Sequence, residues 1–221
     1  MGRHCHAGRV LTPFTLTGSV VVLEPLTAAH VPALTEAAIR DRSTYGFTKV
    51  PLDAADTAAY VTSALADRAG GRAVPFAVRR RSDDRIVGST RYLDMDVLTA
   101  APLWPPGAPG AEPADDLPPT VLEVGNTWYA ADAQRTAVNT ECKLLLLRHA
   151  FEDWGVRRVT LKTDARNERS RRAIERIGAA FEGIRRVHTV ATDGALRDTA
   201  YYSIVSAEWP AVAERLAARL A

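Results

Sequence analysis

The stretch that most constrains the fold runs from Trp128 to Trp154. An apolar run passes through a polar turn, Gln134-Arg135-Thr136-Ala137-Val138-Asn139, and the turn opens onto an amphipathic segment. Leu144, Leu147, Phe151 and Trp154 recur at helical spacing, and Gly155 ends the run. The pattern reads as a strand feeding a helix over about Asn139–Trp154. A helix start of this kind exposes several unpaired backbone N–H groups at the positive end of the helix dipole, which makes it a site for a phosphate-bearing ligand.

The rest of the chain supplies a scaffold. Ser19–Glu24 is a β-branched run and reads as a strand. Thr27 caps a helix to about Arg40, with Pro32 in its first turns, where proline is tolerated. Asp53 caps a second helix to Arg68, stopped at Gly70-Gly71. Val74–Arg81 and Arg85–Asp94 flank Ser82-Asp83-Asp84 as a hairpin. Val121–Tyr129 and Arg157–Lys162 are further strands, and Asn167 caps a short helix ending at Gly178. Ala180–Val190 and Leu196–Ser206 form a second hairpin, and a last helix carries Trp209, Val212, Leu216 and Leu220 at helical spacing. Residues 98–119 are too rich in Pro, Gly and Ala for a helix or central strand and read as a long loop, with Trp104 as its one large apolar anchor. Hairpins combined with one strand–helix–strand crossover predict an α/β sandwich rather than a uniform doubly wound sheet.

A chain of 221 residues, 47% hydrophobic, can bury one substantial core, so one domain over 19–221 is expected, with 1–18 as a flexible extension. The 28 basic and 26 acidic residues nearly balance, which argues against nucleic acid or a membrane surface as partner. Cys5 and Cys142 do not make a disulfide framework, and no apolar run is long enough to span a bilayer. Both point to a reducing, cytoplasmic setting. His4-Cys5-His6 has ligand chemistry, but no further ligands stand at metal-site spacing, so a mobile tail is the expectation and no metal is expected.

The turn and the residues after it resemble a known family. Gln134-Arg135-Thr136-Ala137-Val138-Asn139-Thr140-Glu141 is similar to the pyrophosphate-binding turn of the GNAT acyltransferases, in the branch of ribosomal-protein N-terminal acetyltransferases. Asn167-Glu168-Arg169-Ser170, with Gly178-Ala179 beyond it, resembles the family's second coenzyme motif, and Gly88-Ser89-Thr90-Arg91-Tyr92 resembles its third strand. Ala137 stands where the family usually has glycine, which is tolerable if that residue keeps φ below zero and costly otherwise. The resemblance implies a mixed, mostly antiparallel sheet with a central splayed parallel pair flanked by helices. It implies transfer of an acetyl or other acyl group from acyl-CoA to a primary amine, on a protein N-terminus or a small molecule. It leaves room for a homodimer and for an alternative, a coenzyme-binding module without turnover.

The resemblance also distributes roles. The backbone of Gln134, Arg135, Thr136, Ala137, Val138, Asn139 and Thr140 faces the pyrophosphate, with the charge of Arg135 added. A backbone N–H near Trp128 or Tyr129 meets the thioester oxygen, although their side chains are equally good core aromatics. Glu123 is the first candidate for the base, because strand alternation sets it on one face with Gly125 and Thr127, with Asp94 and Glu141 behind it. Ser170, or Tyr202, serves the leaving thiolate, and Asn167 contacts the pantetheine arm while capping its helix. His149 reads as structural. Arg157, Arg158 and Lys162 read as a solvated strand face within reach of the coenzyme's 3′-phosphate.

Overall fold

The computed structural model describes residues 12–98 and 118–221, so His4-Cys5-His6, Trp104 and most of the Pro-rich loop lie outside the described residues. One sheet has the order β1-β2-β3-β4-β5-β6-β8-β7. Its strands are β1 (Leu16–Thr17), β2 (Val21–Pro25), β3 (Ala73–Arg80), β4 (Arg85–Asp96), β5 (Val121–Tyr129), β6 (Arg158–Asp164), β7 (Ala180–Val190) and β8 (Leu196–Val205). All neighbours pair antiparallel except β5 and β6.

Among the described residues, five α-helices cover the two faces: α1 (Val31–Ile39), α2 (Ala54–Ala69), α3 (Ala137–Arg148), α4 (Glu168–Ile177) and α5 (Trp209–Ala218). Leu34, Ala37, Val61 and Ala64 of α1 and α2 pack with Ile86 and Trp128 of the sheet. On the other face Val138, Leu144, Leu147, Ile174, Ile177 and Leu216 of α3, α4 and α5 pack with Tyr92, Leu122, Val124 and Tyr129. Local chemistry explains the boundaries. The Asp53 carboxylate accepts the Asp56 N–H, and the Asn167 side chain accepts the Ser170 N–H, each satisfying an orphan donor of a first turn.

Two boundaries differ from the sequence expectation. Part of the supposed extension is ordered: β1 pairs with β2, and the Phe14 ring packs on Phe76, His149 and Trp154. The long helix begins at Ala137, two residues early, because the Thr136 hydroxyl accepts the Val138 N–H and caps it there. It then widens into a π turn over His149–Asp153. That widening follows Leu146, whose carbonyl is taken by the buried Tyr92 hydroxyl at 2.7 Å.

The parallel pair positions the site. β5 and β6 are in register only over Val121–Glu123 and Arg158–Thr160. Beyond Glu123 they diverge, opening a gap in the middle of the sheet. Parallel strands also send their following helices back from the same end, so α3 and α4 both start at the open mouth of this gap. Two positive helix ends therefore converge at the carboxyl ends of the strands, where ligands of α/β sheets bind.

Candidate active site

The helix start meets the expected turn in outline. Thr136 is the cap, Ala137 the first helical residue. The left-handed residue is Arg135, at φ 60°, and Ala137 is helical with φ below zero, so the alanine imposes no strain. The N–H groups available to an anion are fewer than the sequence suggested. That of Gln134 donates to Ala131 O, and that of Val138 to the Thr136 hydroxyl. Thr140 lies a full turn into the helix, where its N–H has an intrahelical acceptor. Thr136, Ala137 and Asn139 keep free N–H groups, and Arg135 is exposed with no ion pair among the described residues.

Beside this helix start opens a cleft of about 780 Å³, walled by Ser19, Val20, Arg80, Arg81, Thr136 and Ala137. Arg80 and Arg81 are cations at this end that sequence reading passed over, since only the β3–β4 hairpin brings them here. Arg157 and Arg158 are at the opposite end. Arg158 starts β6, paired with Val121, the first residue of β5, and Arg157 precedes it, so neither reaches a ligand at α3.

Across the mouth of the gap runs a polar strap. The Gln134 side-chain amide donates to Tyr129 O at 2.9 Å and to the Thr44 hydroxyl at 2.8 Å. The Tyr45 hydroxyl donates to Tyr129 O at 3.1 Å, and Arg169 at the start of α4 donates to the Gln134 side-chain oxygen at 3.2 Å. Thus Gln134 serves this junction through its side chain. Asn167 is buried as the α4 cap, and Ser170 is half-buried with its hydroxyl uncommitted among the described residues.

Glu123 stands at the foot of the gap, 3% exposed, with Lys162 Nζ 2.5 Å from its carboxylate. Lys162 is thus a partner of the carboxylate rather than part of a solvated strand face. It also reaches Asp94 at 3.3 Å. Burial pushes the Glu123 carboxyl up to about 7, against the opposing pull of Lys162. Gly125 shares its face, and a Cβ there would lie 2.3 Å from a Glu123 carboxylate oxygen, so only glycine leaves the carboxylate its room.

Three expectations need correction. Thr127 is not on the Glu123 face. Between Gly125 and Trp128 the register with β4 slips by one residue at Asn126, whose φ is 48°, and such a bulge inverts the alternation beyond it. Thr127 therefore bonds Thr90 and Lys143 of α3. Tyr202 lies on the helix-α4 face, where its hydroxyl accepts from Arg171 Nε at 2.9 Å and donates to Glu175 at 3.1 Å. Its neighbour Tyr201 pairs with Lys162 across β6–β8 and so shares the Glu123 face. Glu141 is no base either. Its carboxylate accepts the Ser19 N–H and hydroxyl and the Val20 and Val21 N–H groups, all within 2.8 Å. Burial alone would raise its carboxyl; those bonds outweigh burial and hold it below the usual range.

Trp128 and Tyr129 are buried core aromatics, so any contact to a ligand comes from their backbone. His149 is structural, tilted against Phe14, edge-on to Trp154 and paired with Asp153. Lys143 is a residue the sequence reading missed. It lies four residues before Leu147 on the apolar stripe of α3, and that placement was the available signal.

Comparison with known proteins shows the family and the fold. No curated protein matches the chain. Among solved structures, a T. thermophilus protein assigned as an acetyltransferase is 33% identical over 96% of this chain and 99% of its own, with a TM-score of 0.74. A GCN5-related N-acetyltransferase from Brucella melitensis is 28% identical over 97% of this chain and 89% of its own, at 0.77. Mycobacterium smegmatis RimJ, solved with CoA-disulfide, shares the fold at 21% identity over 93% and 94%, at 0.72. The profile of the acetyltransferase (GNAT) domain matches residues 21–180, which run from the first residue of β2 to the first of β7 and include every element that frames the gap. With that match across both strands of the gap and the starts of α3 and α4, the chain belongs to the GNAT acetyltransferases.

Proposed function

We propose that the protein transfers an acyl group from coenzyme A to a primary amine by direct attack on the thioester, with Glu123 as the base. The observation that carries this reading is the Glu123 carboxyl: buried at the foot of the gap, held by Lys162, and pushed up to about 7, close to the pH at which an amine must be deprotonated. The pyrophosphate is held by the free N–H groups of Thr136, Ala137 and Asn139 and by Arg135. The pantetheine arm takes the gap between β5 and β6, with the N–H of Trp128 or Tyr129 directed at the thioester oxygen as it gains charge. The amine enters from the α1/α2 face, beside Asp94, Lys162 and Tyr201. As the C–N bond forms and the C–S bond breaks, the amine's proton passes to Glu123, through a water, and the thiolate is hydrogen-bonded by the Ser170 hydroxyl.

A protein N-terminus and a small amine both suit this chemistry, and a thiol-release screen over peptides and amines separates them. A module without turnover loses its main support, because Ala137 fits the turn. Edge strand β7 shows Phe181, Ile184, Val187 and Val190 to solvent, which favours a homodimer, measurable by sedimentation. The free thiol of Cys142 suits a cytoplasmic location. The direct test of the coenzyme reading is thermal unfolding with acetyl-CoA. The expected result is a rise in melting temperature that grows with ligand concentration, and no rise at millimolar coenzyme overturns the reading.

A further inference from the structure

Lys143 is 5% exposed, yet it has no carboxylate in ion-pair reach among the described residues. Its ammonium donates to the Thr127 hydroxyl at 3.0 Å, and that hydroxyl is shared with Thr90 at 2.8 Å. Glu123 is felt by Lys143 as a charge but is committed to Lys162. An ammonium carries three N–H donors, so a buried one with a single neutral partner is under-satisfied. Packing does not account for it, because an apolar side chain of similar volume would fill the same place without the desolvation penalty. Helix α3 aims it at Thr127, in the part of β5 that has left β6 and borders the gap.

We propose that the acyl group accepted by this enzyme carries its own carboxylate, as a dicarboxylic acyl chain such as succinyl or glutaryl does, and that Lys143 receives that carboxylate. The proposal rests on the coenzyme reading above. With the thioester oxygen at the backbone of Trp128 or Tyr129, Thr127 is the adjacent residue and Lys143 stands behind it. A carboxylate there uses the open donors of the ammonium, and the Thr90 and Thr127 hydroxyls are close by to donate as well. In a water-poor site such a charge-assisted pair is stronger than at the surface. A neutral acyl chain leaves the ammonium unpaired. Burial pulls Lys143 down to about 8, so it is still mostly charged at neutral pH.

The test compares binding of succinyl-CoA, butyryl-CoA and free coenzyme A to the wild-type protein and to Lys143→Met, by calorimetry, with no acceptor needed. The wild type is expected to bind succinyl-CoA at least about tenfold tighter than butyryl-CoA, with the preference fading as pH rises past about 8. Lys143→Met is expected to lose that preference while holding free coenzyme A as the wild type does. Equal affinity of the wild type for the two thioesters, with free coenzyme A bound, overturns the proposal and leaves the coenzyme reading standing. A preference retained in Lys143→Met overturns it too, as does a covalent acyl adduct on Lys143 by intact mass. If free coenzyme A itself fails to bind the wild type, the coenzyme reading falls and the proposal with it. The wild-type comparison stands whether or not the variant folds.

Discussion

Glu123 and Glu141 are almost equally buried, at 3% and 4% exposed, and their environments drive them in opposite directions. Glu141 is surrounded by donors: three N–H groups and a hydroxyl from the turn between β1 and β2 and the first residue of β2. Among the described residues Glu123 has one cation, Lys162, and no backbone N–H donor; burial, with the Asp94 carboxylate adding to it, raises its carboxyl to about 7. Burial therefore does not make a base. The count of donors decides whether a buried carboxylate becomes a fixed anion that ties strands together or a group poised to take a proton. The sequence offered both as candidates, and only the partners separate them.

The largest expected effect breaks that comparison on the catalytic side. Glu123→Gln keeps the shape of the site and removes the proton acceptor. Turnover in a thiol-release assay is expected to fall by about 10²–10⁴-fold, with the coenzyme-induced rise in melting temperature retained. A rate within twofold of wild type removes Glu123 from the mechanism. The corresponding change at Glu141 acts on stability. Glu141→Ala strands the Ser19, Val20 and Val21 N–H groups, and urea denaturation is expected to show a loss of about 3 kcal/mol. Gly18→Ala acts in the same direction, because its Cβ would lie 2.3 Å from the Glu141 carboxyl carbon.

The pH dependence of stability gives opposite signs for the two groups. The Glu123 carboxyl at about 7 lies above its unfolded value of 4.5, so its contribution is fully present below pH 4.5 and is lost as pH rises through 7. Glu141 is held low, so its contribution is present above 4.5 and is lost as pH falls through its folded value. Relative to wild type, Glu123→Gln is expected to gain on the order of 2 kcal/mol between pH 5 and pH 8, a gain reduced to the extent that Lys162 is left paired with Asp94 alone. A flat difference across that range refutes the assignment of a raised carboxyl. Lys162→Met works on the same group from its partner's side. Removing the cation that pulls Glu123 down moves the acidic limb of the rate profile to higher pH, by about one unit, equivalent to about 1.4 kcal/mol.

What could be read from the chain alone follows a physical division. Strands β3 to β5, the Asp53 and Asn167 caps and the start of the long helix within two residues are local matters of periodicity and turn chemistry, and they were legible. The partners of Glu141 are more than a hundred residues away in the chain, and nothing local announces them. The bulge at Asn126 adds one residue to β5 and moves Thr127 across the sheet. Gly125 beside it is the local mark of such a slip, but a glycine within an otherwise regular alternation does not say which way the following side chains turn. Lys143 stands as a charge on an apolar stripe, a signal the chain carries but that went unused, and its partner at Thr127 depends on that same slip.

The smallest expected effect tests the parity of β8, where two tyrosines stand side by side on opposite faces. Tyr202 has its hydroxyl already bonded to Arg171 and Glu175 on the helix-α4 face, away from Glu123. Tyr202→Phe is therefore expected to cost about 1 kcal/mol of stability and to leave turnover within about twofold of wild type. Tyr201 pairs with Lys162 and faces the acceptor side, so Tyr201→Phe acts on turnover or on the Michaelis constant for the amine instead. If the rate effect appears at Tyr202 and stability alone responds at Tyr201, then chemistry runs on the helix-α4 face. Glu123 then stands on the wrong side of the sheet to take the proton.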